Sequence, residues 1–161
     1  MRDLYQTDFD GYLREDGCLL FSIIHAATQI AGKRMPRHQA VTLIDGLHAY
    51  TKAKYDINVP AISDENDQSK PGVFVWDHEQ VFNQSLLMLG SKLRARYSGR
   101  QYMTWEEAKG HKSFGSRDGD VIIFQIKTIH GNGHFRMFDY DPWEPGTKMA
   151  DLKSIRYYTV G

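Results

Sequence analysis

Cys18 is the only cysteine in the chain, and it stands where a helix should begin. The run Glu15-Asp16-Gly17-Cys18-Leu19-Leu20-Phe21-Ser22 offers Asp16 as an N-cap residue. Beyond it, apolar side chains recur at Leu20, Ile23, Ile24, Ala27, Ile30 and Ala31, a helical spacing that stops at Gly32. A thiol in a first helical turn faces backbone N–H groups without intrahelical partners and the positive end of the helix dipole. Both favour thiolate, the form of sulfur that attacks a carbonyl carbon. The competing reading is a small buried hydrophobe.

A thiolate nucleophile needs a base. His134 lies near the start of an alternating stretch, Gly133-His134-Phe135-Arg136-Met137-Phe138-Asp139-Tyr140, and is a candidate. His130 competes with it from the preceding turn, His130-Gly131-Asn132-Gly133. His25 is two helical turns from Cys18, about 10 Å along the same face, which is out of proton-transfer reach. It reads as a core or edge histidine.

The elements that must position these groups follow from periodicity. After the Cys18 helix, a second helix is expected from about 36 to 55, with Val41, Leu43, Ile44, Leu47, His48 and Tyr50 toward its buried side. Residues 56–75 are polar turn-formers and read as an irregular connection. A third helix is expected from Asp77 to Tyr97, striped by Val81, Phe82, Leu86, Leu89 and Leu93, with Lys92, Arg94 and Arg96 at its C-terminal end. Thr104 and Glu107 form a capping box for a short fourth helix. From about residue 118 the period changes to two. Val121–Lys127, Gly133–Tyr140 and Ile155–Val160 read as strands, separated by turns at Asp118-Gly119-Asp120, at 130–133 and at Asp141-Pro142-Trp143-Glu144-Pro145-Gly146. Helices first and an antiparallel sheet last make an α+β domain, one unit over residues 1–161.

Tyr5-Gln6-Thr7-Asp8, then Gly17-Cys18 opening a long helix, then Gly133-His134-Phe135 and Asp141-Pro142-Trp143, resemble the papain-like cysteine peptidases of the bacteriocin-leader-processing kind. Gly119-Asp120-Val121-Ile122-Ile123-Phe124 ahead of Gly133-His134 is also similar to the NlpC and CHAP peptidoglycan hydrolases. The resemblance touches residues 4–32 and 118–143, and 33–117 match nothing comparable. It implies a papain-like fold, with N-terminal helices packed on a C-terminal sheet and the nucleophile on the first long helix. It implies roles as well: Cys18 attacks, His134 takes and returns the proton, Gln6 donates to the oxyanion beside the Cys18 backbone N–H, and Asp141 orients His134. The spacings strain this scheme. Gln6 lies twelve residues before Cys18, which a loop at Phe9-Asp10-Gly11 could absorb. Asp141 would sit about 23 Å from His134 along one straight strand. A fold-back near Phe138-Asp139, a different orienting group such as Asp139, or a Cys–His dyad are the alternatives.

Composition narrows the partners. Lys plus Arg equals Asp plus Glu at 20 each, so there is no global pull toward nucleic acid or anionic membrane. The basic run Lys92, Arg94, Arg96 and Arg100 reads as a solvated helix end. One cysteine allows no internal disulfide and no thiolate zinc site. Asp64, Glu65 and Asp67 lack the glycine and terminal glutamate of a calcium loop, and Gly115–Gly119 lacks phosphate-loop spacing. No metal and no cofactor is expected. The N-terminal residues lack the apolar core of a signal peptide and no run approaches membrane-spanning length, which implies a cytoplasmic location or export by another route. The expected substrate is a peptide, protein or peptidoglycan amide, hydrolysed through a cysteine. An inactive papain-like binding module and a peptidoglycan amidase or endopeptidase are the rivals.

Overall fold

The computed structural model describes residues 2–55, 77–110, 120–127, 133–137, 139–143 and 151–161. His130, the 56–75 connection with Asp64, Glu65 and Asp67, the run 115–119 and Glu144-Pro145-Gly146 lie outside the described residues.

Two short pieces precede the long helix: a 3-10 turn at Gln6–Asp8 and helix α1, Gly11–Asp16. Helix α2 spans Cys18–Ala31, and every residue from Leu19 to Thr28 is buried. The expected Asp16 cap is not its start. Asp16 ends α1, and Gly17 is the N-cap, with no side-chain bond to the helix amides. Gly17 is there for space: a β-carbon would lie 2.3 Å from the Leu13 carbonyl oxygen and 2.9 Å from the Phe21 ring. At the far end Gly32 takes φ 65°, and the Gly32 and Lys33 amides return to Gln29 and Thr28 at 3.3 and 3.1 Å. That left-handed closure satisfies the last carbonyls.

Helix α3, Arg37–Tyr55, buries Ala40, Leu43, Ile44 and Leu47. Helix α4, His78–Met88, starts at Asp77, whose carboxylate accepts the Gln80 amide at 3.0 Å. The single helix expected over 77–97 is not what forms. Gly90 at φ 79° ends it, and Ala95–Tyr102 is a strand, β1. Arg96 and Arg100 are therefore strand residues, not a helix end. Helix α5, Trp105–Gly110, opens on the expected box, with the Glu107 amide donating to Thr104 Oγ1 at 3.2 Å.

Strands β2 (Asp120–Lys127), β3 (Gly133–Arg136) and β4 (Leu152–Val160) complete a four-stranded antiparallel sheet of order β1-β4-β2-β3. The molecule is an α+β structure, with one strand set between helices and three after them. Val121, Ile123 and Tyr158 join α2, α3 and α4 in the larger core, while Phe124, Ile126, Leu152 and Ile155 pack with Met103 and Ala108 in a second one. Each fully buried large side chain, such as Phe21, Phe82 or Ile123, contributes about 1.5–3 kcal/mol. Among the described residues no helix is long and apolar enough to cross a membrane.

Strand β3 is shorter than the alternation suggests. It stops at Arg136, and the chain reverses, closed by Met137 N–H to Tyr140 O at 2.9 Å. Met137 and Tyr140 thus bridge across a tight return directly after the strand.

Candidate active site

The return carries Asp141 back beside His134, as the resemblance implies and a straight strand would not allow. His134 Nε2 and Asp141 Oδ1 are 2.8 Å apart. Asp141 is 3% exposed, a burial a carboxylate tolerates only when satisfied. The Trp143 amide donates to the same oxygen at 2.9 Å, and Arg136 Nη1 approaches Oδ2 at 3.5 Å. Asp139 does not orient His134; its carboxylate accepts from Gln29 instead.

Cys18 stands on the other side of the imidazole, half-buried at the first position of α2. Burial alone would lower the His134 pKa. Hydrogen bonds to Asp141 and Cys18, and the charge of both groups, overcome that and raise it to about 9. The ring is an imidazolium at neutral pH, between a carboxylate and a sulfur. Ser22, one turn along α2, donates to the Phe135 carbonyl at 3.4 Å and ties the helix to β3.

Gln6 is brought to the same corner. It is 2% exposed, and its backbone N–H donates to the Pro142 carbonyl at 2.8 Å, directly after Asp141. Its side-chain Nε2 donates to the Arg14 carbonyl at 2.6 Å, which occupies one of two N–H groups, while Oε1 is buried without a partner. The extra length between Gln6 and Cys18 is taken up by α1, not by an open loop.

His25 is a core histidine. It is buried, stacks on Tyr140 with centroids 4.0 Å apart, and burial lowers its pKa despite nearby Asp139. Tyr5 also stacks on Tyr140, with ring centroids 5.6 Å apart. Trp105 packs on Phe124, and Trp143 remains 40% exposed beneath the Arg14 guanidinium.

Arg136 is the site residue that sequence reasoning missed. It is 8% exposed and reaches the carboxylate that holds His134. Its signal was available: residues two apart on a strand share a face. Among the described residues no group of three His, Cys, Asp or Glu side chains is placed to hold a metal ion. The whole site is read from geometry, since no family model, curated protein or solved structure matches the chain.

Proposed function

We propose that the chain is a papain-like cysteine hydrolase of peptide or amide bonds. The observation that carries this reading is His134 held between the Cys18 sulfur and the buried Asp141 carboxylate. With Nε2 on Asp141, Nδ1 is the nitrogen left for the thiol. The sulfur, as thiolate beside the imidazolium, adds to the carbonyl carbon, and the π electrons move to oxygen. Collapse breaks the C–N bond, and the His134 proton passes to the departing amine. Water, deprotonated by the now neutral ring, then hydrolyses the thioester.

Asp141 fixes the ring orientation and stabilises its charge, and Arg136 holds Asp141. The Cys18 backbone N–H, at a helix start with no side-chain cap, is an oxyanion donor, and the second Gln6 N–H is the family's other one. Peptides, proteins and peptidoglycan stems are the substrate classes that fit this chemistry. The rival is an inert scaffold used for binding, favoured by the engagement of Gln6 with Arg14.

Cys18→Ala should abolish hydrolysis across panels of peptides, isopeptides and peptidoglycan fragments, with melting shifted by less than about 4 °C. Gln6→Ala should lower the rate by about a hundredfold with little change in substrate affinity. His134→Ala should slow alkylation of Cys18 by iodoacetamide at about pH 6 by tenfold or more. Equal alkylation rates in both proteins, together with an inert wild type, would establish the scaffold reading.

A further inference from the structure

The sheet carries a second concentration of chemistry, built without the thiol. The register of β1 and β4 sets Arg100 directly opposite Arg156, and Tyr102 opposite Ser154. On the other side of β4, Ser154 pairs with Gln125 of β2, and Gln125 pairs with Phe135 of β3. Arg156 is 8% exposed, an extreme burial for a guanidinium. Its Nη1 donates to Ser154 Oγ at 2.6 Å and to Gln125 Oε1 at 3.4 Å, and its Cζ lies 4.9 Å above the Phe135 ring. Arg100 sits 4.7 Å over Tyr102, which is 60% exposed.

All of these partners are neutral. Among the described residues neither guanidinium meets a carboxylate, and each faces the other's charge. Like charges directly opposite across a strand pair are unfavourable, and a buried cation without a counter-charge is more so. Burial, and then Arg100, press the Arg156 pKa downward, against the pull of Tyr97. Among the described residues the buried side-chain nitrogens and oxygens that lack partners are on Gln6, His25 and His48, so the unbonded Arg156 nitrogens keep contact with solvent. Two forked donors therefore converge on one face, with hydroxyl and amide groups already fixing the deeper one.

We propose that Arg100 and Arg156 form a binding site for an oxyanion, a carboxylate or phosphate group, with Tyr102 as the aromatic wall for the body that carries it. The anion supplies the counter-charge that the described residues omit. The guanidinium fork matches either anion with paired N–H donors. Nothing in this site requires Cys18, so it stands or falls apart from the proposed hydrolysis.

The test is an NMR titration of the wild-type chain, following the arginine Nε–Hε signals. The probes are inorganic phosphate, acetyl-glutamate amide and, as the neutral twin, acetyl-glutamine amide. Saturable shifts of Arg100 and Arg156 with phosphate or the glutamate probe, and none with the glutamine twin, are the expected result. Arg100→Gln, at an exposed position, should weaken the binding by about tenfold and leave the fold intact. Arg156→Lys should weaken it too, because a lysine keeps the charge and loses the fork. Tighter phosphate binding identifies a phosphorylated ligand, and tighter glutamate binding an acidic peptide. Shifts that are absent, that track ionic strength alike at every arginine, or that survive Arg100→Gln overturn the proposal.

Discussion

Two histidines, equally shielded from water, sit near opposite sides of the sheet and titrate in opposite directions. At the β3 side His134 is raised to about 9, because a carboxylate and a sulfur outweigh its burial. Beside β1, His78 is lowered to about 4, by burial first and then by Arg156, with only Asp77 opposing. His78 Nδ1 lies 2.7 Å from the Tyr158 hydroxyl, and its ring stacks on Tyr97 at 4.1 Å. Burial presses both rings downward, and only His134 has partners strong enough to reverse it. The β3 side keeps a cation between a carboxylate and a sulfur. The β1 side keeps a neutral ring as packing.

Asp141→Ala attacks the comparison at its root. Without the carboxylate, His134 should titrate well below about 9, and Arg136 loses one of its acceptors. The proposed hydrolysis should fall by about 10³-fold or more, and the imidazole NMR titration reads the shift. A His134 pKa still near 9 would show that Cys18 alone sustains the charge.

Gly17→Ala probes how the β3 corner is built. A methyl group 2.3 Å from the Leu13 oxygen forces α1 and α2 apart, which should cost about 3 kcal/mol in urea unfolding and displace Cys18.

The two histidines should also shape stability against pH from opposite sides. His134 has a folded pKa above its unfolded 6.5, so its contribution is complete below about pH 6.5 and is lost as pH rises through about 9. His78 has a folded pKa below 6.5, so its contribution is complete above about pH 6.5 and is lost as pH falls through about 4. Stability should peak near pH 6.5. In urea midpoints across pH, His134→Gln should flatten the alkaline limb and His78→Gln the acid limb. The smallest effect belongs to regular structure: Thr104→Ala removes a cap from α5 and should cost about 1 kcal/mol, with Cys18 reactivity unchanged.

What was legible in the sequence tracks regularity. The α2 stripe and its Gly32 stop, the Thr104–Glu107 box and the Val121–Lys127 strand follow from spacing alone. Strand β1 was hidden because Leu86, Leu89 and Leu93 continue a helical count across Gly90. Leu93 proves 42% exposed, so that continuation was chance. The start of α2 misled because Asp16 is a better cap residue than Gly17, yet only glycine fits beneath Phe21. Cys18 and His134 could be paired from residue type and order. The distance to Asp141 could not be read, since nothing from Phe135 to Tyr140 is a glycine or proline, and the reversal at Met137 to Tyr140 is held by tertiary contacts.

Those contacts fix an order of events. The Tyr140 hydroxyl donates to the Leu4 carbonyl across 136 positions of sequence, and the Gln6 amide reaches Pro142 in the same clasp. As a chain emerges from the ribosome, Cys18 appears long before the imidazole and carboxylate that surround it. The Cys18 sulfur stays without its imidazole neighbour through most of synthesis. The corner around it closes only when the second half of the chain has folded back on the first.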